Sequence, residues 1–237
     1  MIGRATPLWL LVLAVTGCVG ADERLLVPIP GALAPTKAIG MVANYPPRPG
    51  TPVTQSAPGF FIRSAGALAG DGDDIPLPRG LPRVLYEAEL VVVIGKRAAK
   101  VSPEEAAACI LGYTCGMDGS PEVLLSGGDR DHVRSLAGKS ADGIAPIGPR
   151  IVKNIDFERC EILLRVNGEV IERSQPKDLV WSPTRLVSEI SQTVALEPGD
   201  VVFTGATRAV PHLKAGDRVE VEISGLGTLR NRVVEAH

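Results

Sequence analysis

The chain has 237 residues, with 25 Lys and Arg against 27 Asp and Glu, for a formal net charge of −2. That balance excludes the basic field a nucleic-acid partner needs, and a 45% hydrophobic share is enough to bury one globular domain. With 26 Gly and 20 Pro but only 4% aromatic residues, the composition points to a β-rich body with many turns.

The first eighteen residues, MIGRATPLWLLVLAVTGC, carry one early cation, Arg4, and then a short apolar run. A run of this length with these flanks fits an export signal better than a spanning helix. Val15-Thr16-Gly17-Cys18 resembles a bacterial lipobox. That implies a signal over 1–17, lipid on Cys18 and a cell-envelope lipoprotein held to the membrane through the lipid. A plain cleavable signal would leave a periplasmic protein, and a leader that does not work would leave a cytoplasmic one. Residues 18–36, rich in Pro and Ala, read as a tether, and the domain proper is expected over 37–237.

From Lys37, "AIGMVANY" reads as a strand, followed by a Pro-studded rim loop that contains Arg48. "FFIRS" is a second strand. "GDGDD" is a turn rather than a calcium loop, because it lacks spaced ligands and a closing glutamate. "LYEAELVVVIG" reads as a strand with a buried, β-branched end closed by Gly95. A helix opens with Ser102 as N-cap, Pro103 in the first turn and Glu105 closing a capping box. Ser182 and Pro183 open a second helix in the same way. Asn167-Gly168 marks a tight hairpin, and "PGDVVFTG", "AGDRVEVEI" and "GLGTLRNRVV" each read as a turn followed by a strand. The expected fold class is therefore α+β, with many strands, two short helices and no βαβ alternation. Cys109, Cys115 and Cys160 lie in no metal-like spacing and read as structural. An oxidising compartment would allow a Cys109–Cys115 or Cys115–Cys160 bridge. His132 and His212 read as surface or rim residues.

Glu87 and Glu89 are two residues apart on the third of these strands, so they share a face, roughly 6.6 Å apart. Two like charges at the mouth of a core strand need compensation from water, from cationic side chains or from a metal. Carboxylate oxygens suit hard cations such as Mg²⁺, Mn²⁺ or Ca²⁺, and Asp118 in "GYTCGMDGS" is available as a third ligand. On residue types alone, a solvated pair on an edge strand is the commoner explanation.

The order "YEAELVVVIGK", "SPEEAAACILGYT", "MD", "GKSADGIAPIGP", "VNGEV", "LEPGDVVFTG" and "LKAGDRVEVEISGLGTL", over residues 37–234, resembles the fumarylacetoacetate hydrolase family. The resemblance implies a mixed β-roll fold, a homodimer, and Mg²⁺ or Mn²⁺ held by Glu87, Glu89 and Asp118. It also implies an active-site lysine at Lys139. Family members act on small oxo acids and diketo acids by C–C hydrolysis, decarboxylation or keto–enol isomerisation, through a metal-stabilised enolate. The chain departs from the pattern at several positions. Arg48 stands near the place of the family's histidine base, and Glu122 where an arginine grips substrate. Val123 replaces an aspartate, Glu172 a glutamine and Pro176 a threonine. Thr204-Gly205-Ala206-Thr207 replaces a Thr-Gly-Thr-Pro segment. Arg48, Glu122, Thr204 and Gly205 are therefore the expected substrate-side residues. Without the histidine, tautomerisation or decarboxylation is expected over C–C hydrolysis. The alternative is a catalytically inactive, metal-containing binding or structural protein on the same fold.

Overall fold

The computed structural model describes residues 24–25, 34–46, 57–77, 84–121, 123–124, 130–131, 136–207, 210–211 and 213–235. The leader with Cys18, the loop with Arg48, and Glu122, His132 and His212 lie outside the described residues.

The main strands and helices run in chain order as β1 (Lys37–Val42), β2 (Gly59–Ser64), β3 (Asp74–Leu77), β4 (Val84–Ile94), α1 (Pro103–Cys109), β5 (Ile110–Pro121), α2 (Leu136–Ser140), β6 (Ile162–Val166), β7 (Glu169–Ser174), α3 (Pro183–Thr193), β8 (Val201–Phe203), β9 (Arg218–Ile223) and β10 (Gly227–Glu235). An eight-stranded mixed sheet runs from Arg24–Leu25 through Ile151–Val152, β5, β4, β8 and β1 to β2, and Val210–Pro211 adds to β4. A five-stranded sheet has the order β7-β6-β9-β10-β3. The fold is α+β, as expected, with the core between the two sheets. Within the stretch read as a tether, Arg24–Leu25 pairs with Ile151–Val152, and Thr36 bonds to Asp200.

The local chemistry matches the sequence signals. Ser102 accepts from the Glu105 amide while the Glu105 carboxylate accepts from the Ser102 amide, which closes the capping box of α1. Ser182 caps α3 by accepting from the Arg185 amide. Asn167 and Gly168, with φ of 51° and 86°, form the two-residue turn between β6 and β7. Val91–Ile94 are completely buried, each contributing about 1.5–3 kcal/mol, which offsets the cost of the carboxylates that precede them.

The structure corrects three expectations. A third helix, α2, is present and carries Lys139. The first strand stops at Val42, because Ala43 turns to a φ of 57° and Asn44 leaves the sheet. Among the described residues no disulfide forms: Cys109, Cys115 and Cys160 are free and buried. Their thiols donate instead to three separate carbonyls, those of Arg97, Gly227 and Ser224.

Candidate metal centre and active site

β4 is an interior strand, so the reading of Glu87 and Glu89 as a wet edge pair fails. One side of β4 pairs along its length with β5, which puts Asp118 directly opposite Glu87 and Gly116 opposite Glu89. On the other side, β8 pairs with Val91–Val93 and Val210–Pro211 pairs with Leu85–Tyr86. Between these two pairings the chain leaving β8 covers β4. The Thr204 amide and hydroxyl both donate to the Leu90 carbonyl, and the Gly205 amide donates to Glu89 Oε2 at 2.5 Å. Gly205 has a φ of 93°, which glycine adopts without strain and which aims that amide at the carboxylate. Thr204 and Gly205 therefore position Glu89.

Carboxylate oxygens of Glu87, Glu89 and Asp118 lie within 4.8 Å of one another, with Glu89 and Asp118 buried. Two buried cations face them. Lys139 Nζ donates to both oxygens of Asp118 at 2.9 Å and to the Ser120 hydroxyl. Arg63, completely buried, pairs with Asp118 and donates to the carbonyls of Lys139 at 2.6 Å and Gly119 at 3.1 Å. The guanidinium carbon lies 5.4 Å from the centroid of Phe61 and 5.8 Å from that of Phe203, and Lys139 Nζ stands 4.4 Å from Phe61. Gly40, opposite Phe61 in the β1–β2 pairing, makes room for this stack: a Cβ there would stand 2.1 Å from the ring.

The electrostatics follow from burial. Burial, and then the charge of Glu87, push the Glu89 carboxyl up to about 8 against the pull of the Gly205 amide, Lys139 and Arg63. Burial and the neighbouring Arg63 bring the Lys139 ammonium down to about 7. Burial lowers Arg63 to about 10 despite both glutamates. Three carboxylates thus face two side-chain cations. An all-oxygen, partly buried donor set of this kind fits a hard divalent cation.

Of the expected site residues, Glu87, Glu89, Asp118, Lys139, Thr204 and Gly205 come together here. Glu172, noted only as a departure, is buried and accepts from the Thr207 hydroxyl. Arg63 was missed. Its signal is the "FFIRS" alternation, which puts Arg63 on the same strand face as Phe61.

The sequence profile of the fumarylacetoacetate (FAA) hydrolase C-terminal family matches residues 34–234. The chain belongs to the fumarylacetoacetate hydrolase family. It is 36% identical over 187 residues to the mitochondrial oxaloacetate tautomerase FAHD2A of Bos taurus, covering 75% of this chain and 59% of that protein. Among solved structures, 5-carboxymethyl-2-hydroxymuconate delta-isomerase from Mycobacterium smegmatis superposes with a TM-score of 0.77. Its sequence is 33% identical, over 86% of this chain and 81% of that one. Fumarylpyruvate hydrolase from Pseudomonas aeruginosa, in complex with Mn²⁺ and pyruvate, gives a TM-score of 0.75 at 28% identity, over 93% of this chain and all of that one. These family members are enzymes, among them a tautomerase, an isomerase and a hydrolase.

Proposed function

We propose that the protein is a divalent-metal-dependent enzyme acting on a small oxo acid, with tautomerisation or decarboxylation favoured over C–C hydrolysis. The observation that carries this reading is the convergence of Glu87, Glu89 and Asp118 with two buried cations directed at Asp118. Glu87, Glu89 and Asp118 would hold Mg²⁺ or Mn²⁺. A divalent cation there supplies Lewis acidity toward the oxygens of an oxo acid.

The remaining work falls to the chain's own groups. With all five groups ionised, three carboxylates and two cations sum to −1, and a divalent ion would bring the centre to +1, a balance suited to a substrate carboxylate. Lys139 Nζ, fixed by Asp118 and Ser120, places positive charge at the centre before any substrate arrives, so its orientation need not change as charge develops on oxygen. The Gly205 amide holds Glu89 in its ligating orientation. Glu122, where the family has an arginine, removes a grip on a second carboxylate. With no histidine before His132, attack by activated water has no evident base.

The test follows the loss of enol absorbance of oxaloacetate with Mn²⁺, comparing wild type with Glu89→Gln and Lys139→Met. The expected result is acceleration well above free Mn²⁺ by the wild type, lost in both variants. No acceleration across oxaloacetate and acylpyruvates would overturn the enzymatic reading.

A further inference from the structure

We propose that Arg63 is a positioning residue for Lys139: it ties the backbone of α2 to β5 and so fixes where the Lys139 ammonium stands in the carboxylate centre. This rests on the function proposed above and assigns the means by which that centre keeps its cation in place.

The need for a tie comes from the sequence. α2 is five residues long, LAGKS, with a glycine at its middle, too short and too flexible to hold a helical shape by its own hydrogen bonds. Lys139 lies in its last turn and carries its charge on a long, flexible stem. Such a segment, left to itself, would not keep an ammonium at one point.

β2 supplies what α2 lacks. It is the terminal strand of the eight-stranded sheet, held along its whole length by β1, and its last residues run beside α2. Arg63 Nη1 donates to the Lys139 carbonyl at 2.6 Å. The Ser64 amide donates to the Ser140 hydroxyl at 3.1 Å, and the Ser64 hydroxyl to the Ser140 carbonyl at 3.4 Å. Just beyond, the Gly143 amide donates to the Gly66 carbonyl at 3.0 Å. The two serine bonds are exposed, whereas the Arg63 bond is buried, where water does not compete for the carbonyl.

The same guanidinium reaches the strand that carries Asp118. Its Nη2 donates to the Gly119 carbonyl at 3.1 Å, and the group pairs with Asp118. Asp118 in turn accepts from Lys139 Nζ at both oxygens. These contacts close a circuit: Asp118 to Arg63, Arg63 to the Lys139 carbonyl, and the Lys139 ammonium back to Asp118. Lys139 is thereby held at both ends, its backbone by Arg63 and its ammonium by Asp118 and Ser120. Arg63 Nε has no partner among the described residues, so the hydrogen bonds of the group all run through its two terminal nitrogens.

A planar fork suits this role. The two carbonyls belong to different elements, α2 and β5, and two nitrogens on one rigid group fix the spacing between them. A lysine would keep the charge beside Asp118 but gather its donors at one point. That difference separates positioning from charge balance. A displacement on the order of 1 Å at a reacting centre can cost about a hundredfold in rate, so a loosened α2 reads out in kcat.

Kinetics with oxaloacetate and Mn²⁺, calorimetry with Mn²⁺, and amide hydrogen exchange over 136–143 in the metal-free full chain test this on Arg63→Lys and Arg63→Met. Arg63→Lys should exchange at least about tenfold faster over that segment. It should lose about tenfold in kcat, with KM and Mn²⁺ affinity within about threefold of wild type. Arg63→Met should exchange faster still and lose about a hundredfold in kcat while binding Mn²⁺ more tightly, so rate and metal affinity move in opposite directions. Joint loss of kcat and Mn²⁺ affinity in both variants would make Arg63 merely structural and overturn the proposal. Wild-type exchange and kcat in Arg63→Lys would overturn it as well. If Arg63→Met does not fold, Arg63→Lys decides. Failure of the wild type to accelerate oxaloacetate above free Mn²⁺ would overturn the enzymatic reading and the kinetic role of Arg63 with it. Unchanged exchange in Arg63→Lys would overturn the tie to α2 whatever the activity.

Discussion

Arg63→Met removes a buried charge from a cluster that has few alternatives. The side chain is completely buried and makes three polar contacts, with Asp118, the Lys139 carbonyl and the Gly119 carbonyl. Removing one partner of a buried pair typically costs about 3–5 kcal/mol, and each buried carbonyl left without a donor adds about 1–3 kcal/mol. Lys139 remains bonded to both oxygens of Asp118, and methionine refills the space between Phe61 and Phe203, so the low end applies. The expected loss is about 5 kcal/mol in urea unfolding with chelator present, or about 10–20 °C in Tm for a chain of this size. Mn²⁺ should reverse the order of effects. Arg63 and a divalent ion both seek Asp118, so removing the guanidinium removes a competitor, and the variant should bind Mn²⁺ about tenfold tighter than wild type. Mn²⁺ should therefore rescue the variant more than it stabilises wild type. Unfolding free energies within about 1 kcal/mol of each other in chelator would refute the buried-pair argument. Weaker Mn²⁺ binding by the variant would refute the competition.

Glu89→Gln should abolish measurable Mn²⁺ binding in calorimetry while leaving the metal-free protein within about 1 kcal/mol of wild type, since burial and Glu87 already disfavour the charged form and glutamine keeps an acceptor for the Gly205 amide. Gly40→Ala should drive Phe61 out of its place and cost about 2–3 kcal/mol in denaturant unfolding, because a Cβ there would stand 2.1 Å from the ring. Asp200 is buried and accepts from the amides of Thr36, Lys37 and Glu197, from the Thr36 hydroxyl and from the Lys37 ammonium. Burial alone would raise its pKa, but those bonds outweigh burial and hold it below the usual carboxylate range. A depressed carboxylate stabilises the fold above its unfolded pKa of about 3.9, and that stability is lost as pH falls through the lower folded value. Asp200→Asn should accordingly cost about 3 kcal/mol at pH 7, with the gap to wild type closing below about pH 4 in pH-dependent unfolding.

What was legible in the sequence was local. The capping box at Ser102–Glu105, the Asn167-Gly168 turn and the β-branched end of β4 each follow from a few neighbouring residues, and each is in place. α2 was not legible, because five residues of "LAGKS" give too short a window for any helical period to show. The free cysteines could not be read either. Whether Cys115 meets Cys109 or the Gly227 carbonyl depends on strands more than a hundred residues apart.

The centre divides along the same line. That Glu87 and Glu89 share a face follows from strand periodicity, but that the face lies inside the sheet depends on β8, which pairs with β4 from over a hundred residues downstream. Arg63 reads as an ordinary strand residue until Gly40 and Phe203 arrive on either side of it. This has a chemical consequence. Lys139 brings one cation to Asp118 from α2, and Arg63 brings another from a different strand, β2. Both of its terminal nitrogens are bound to fixed carbonyls, so this guanidinium balances the centre but has little freedom to reach a substrate. On the proposed function, contact with a bound oxo acid therefore falls to groups other than Arg63.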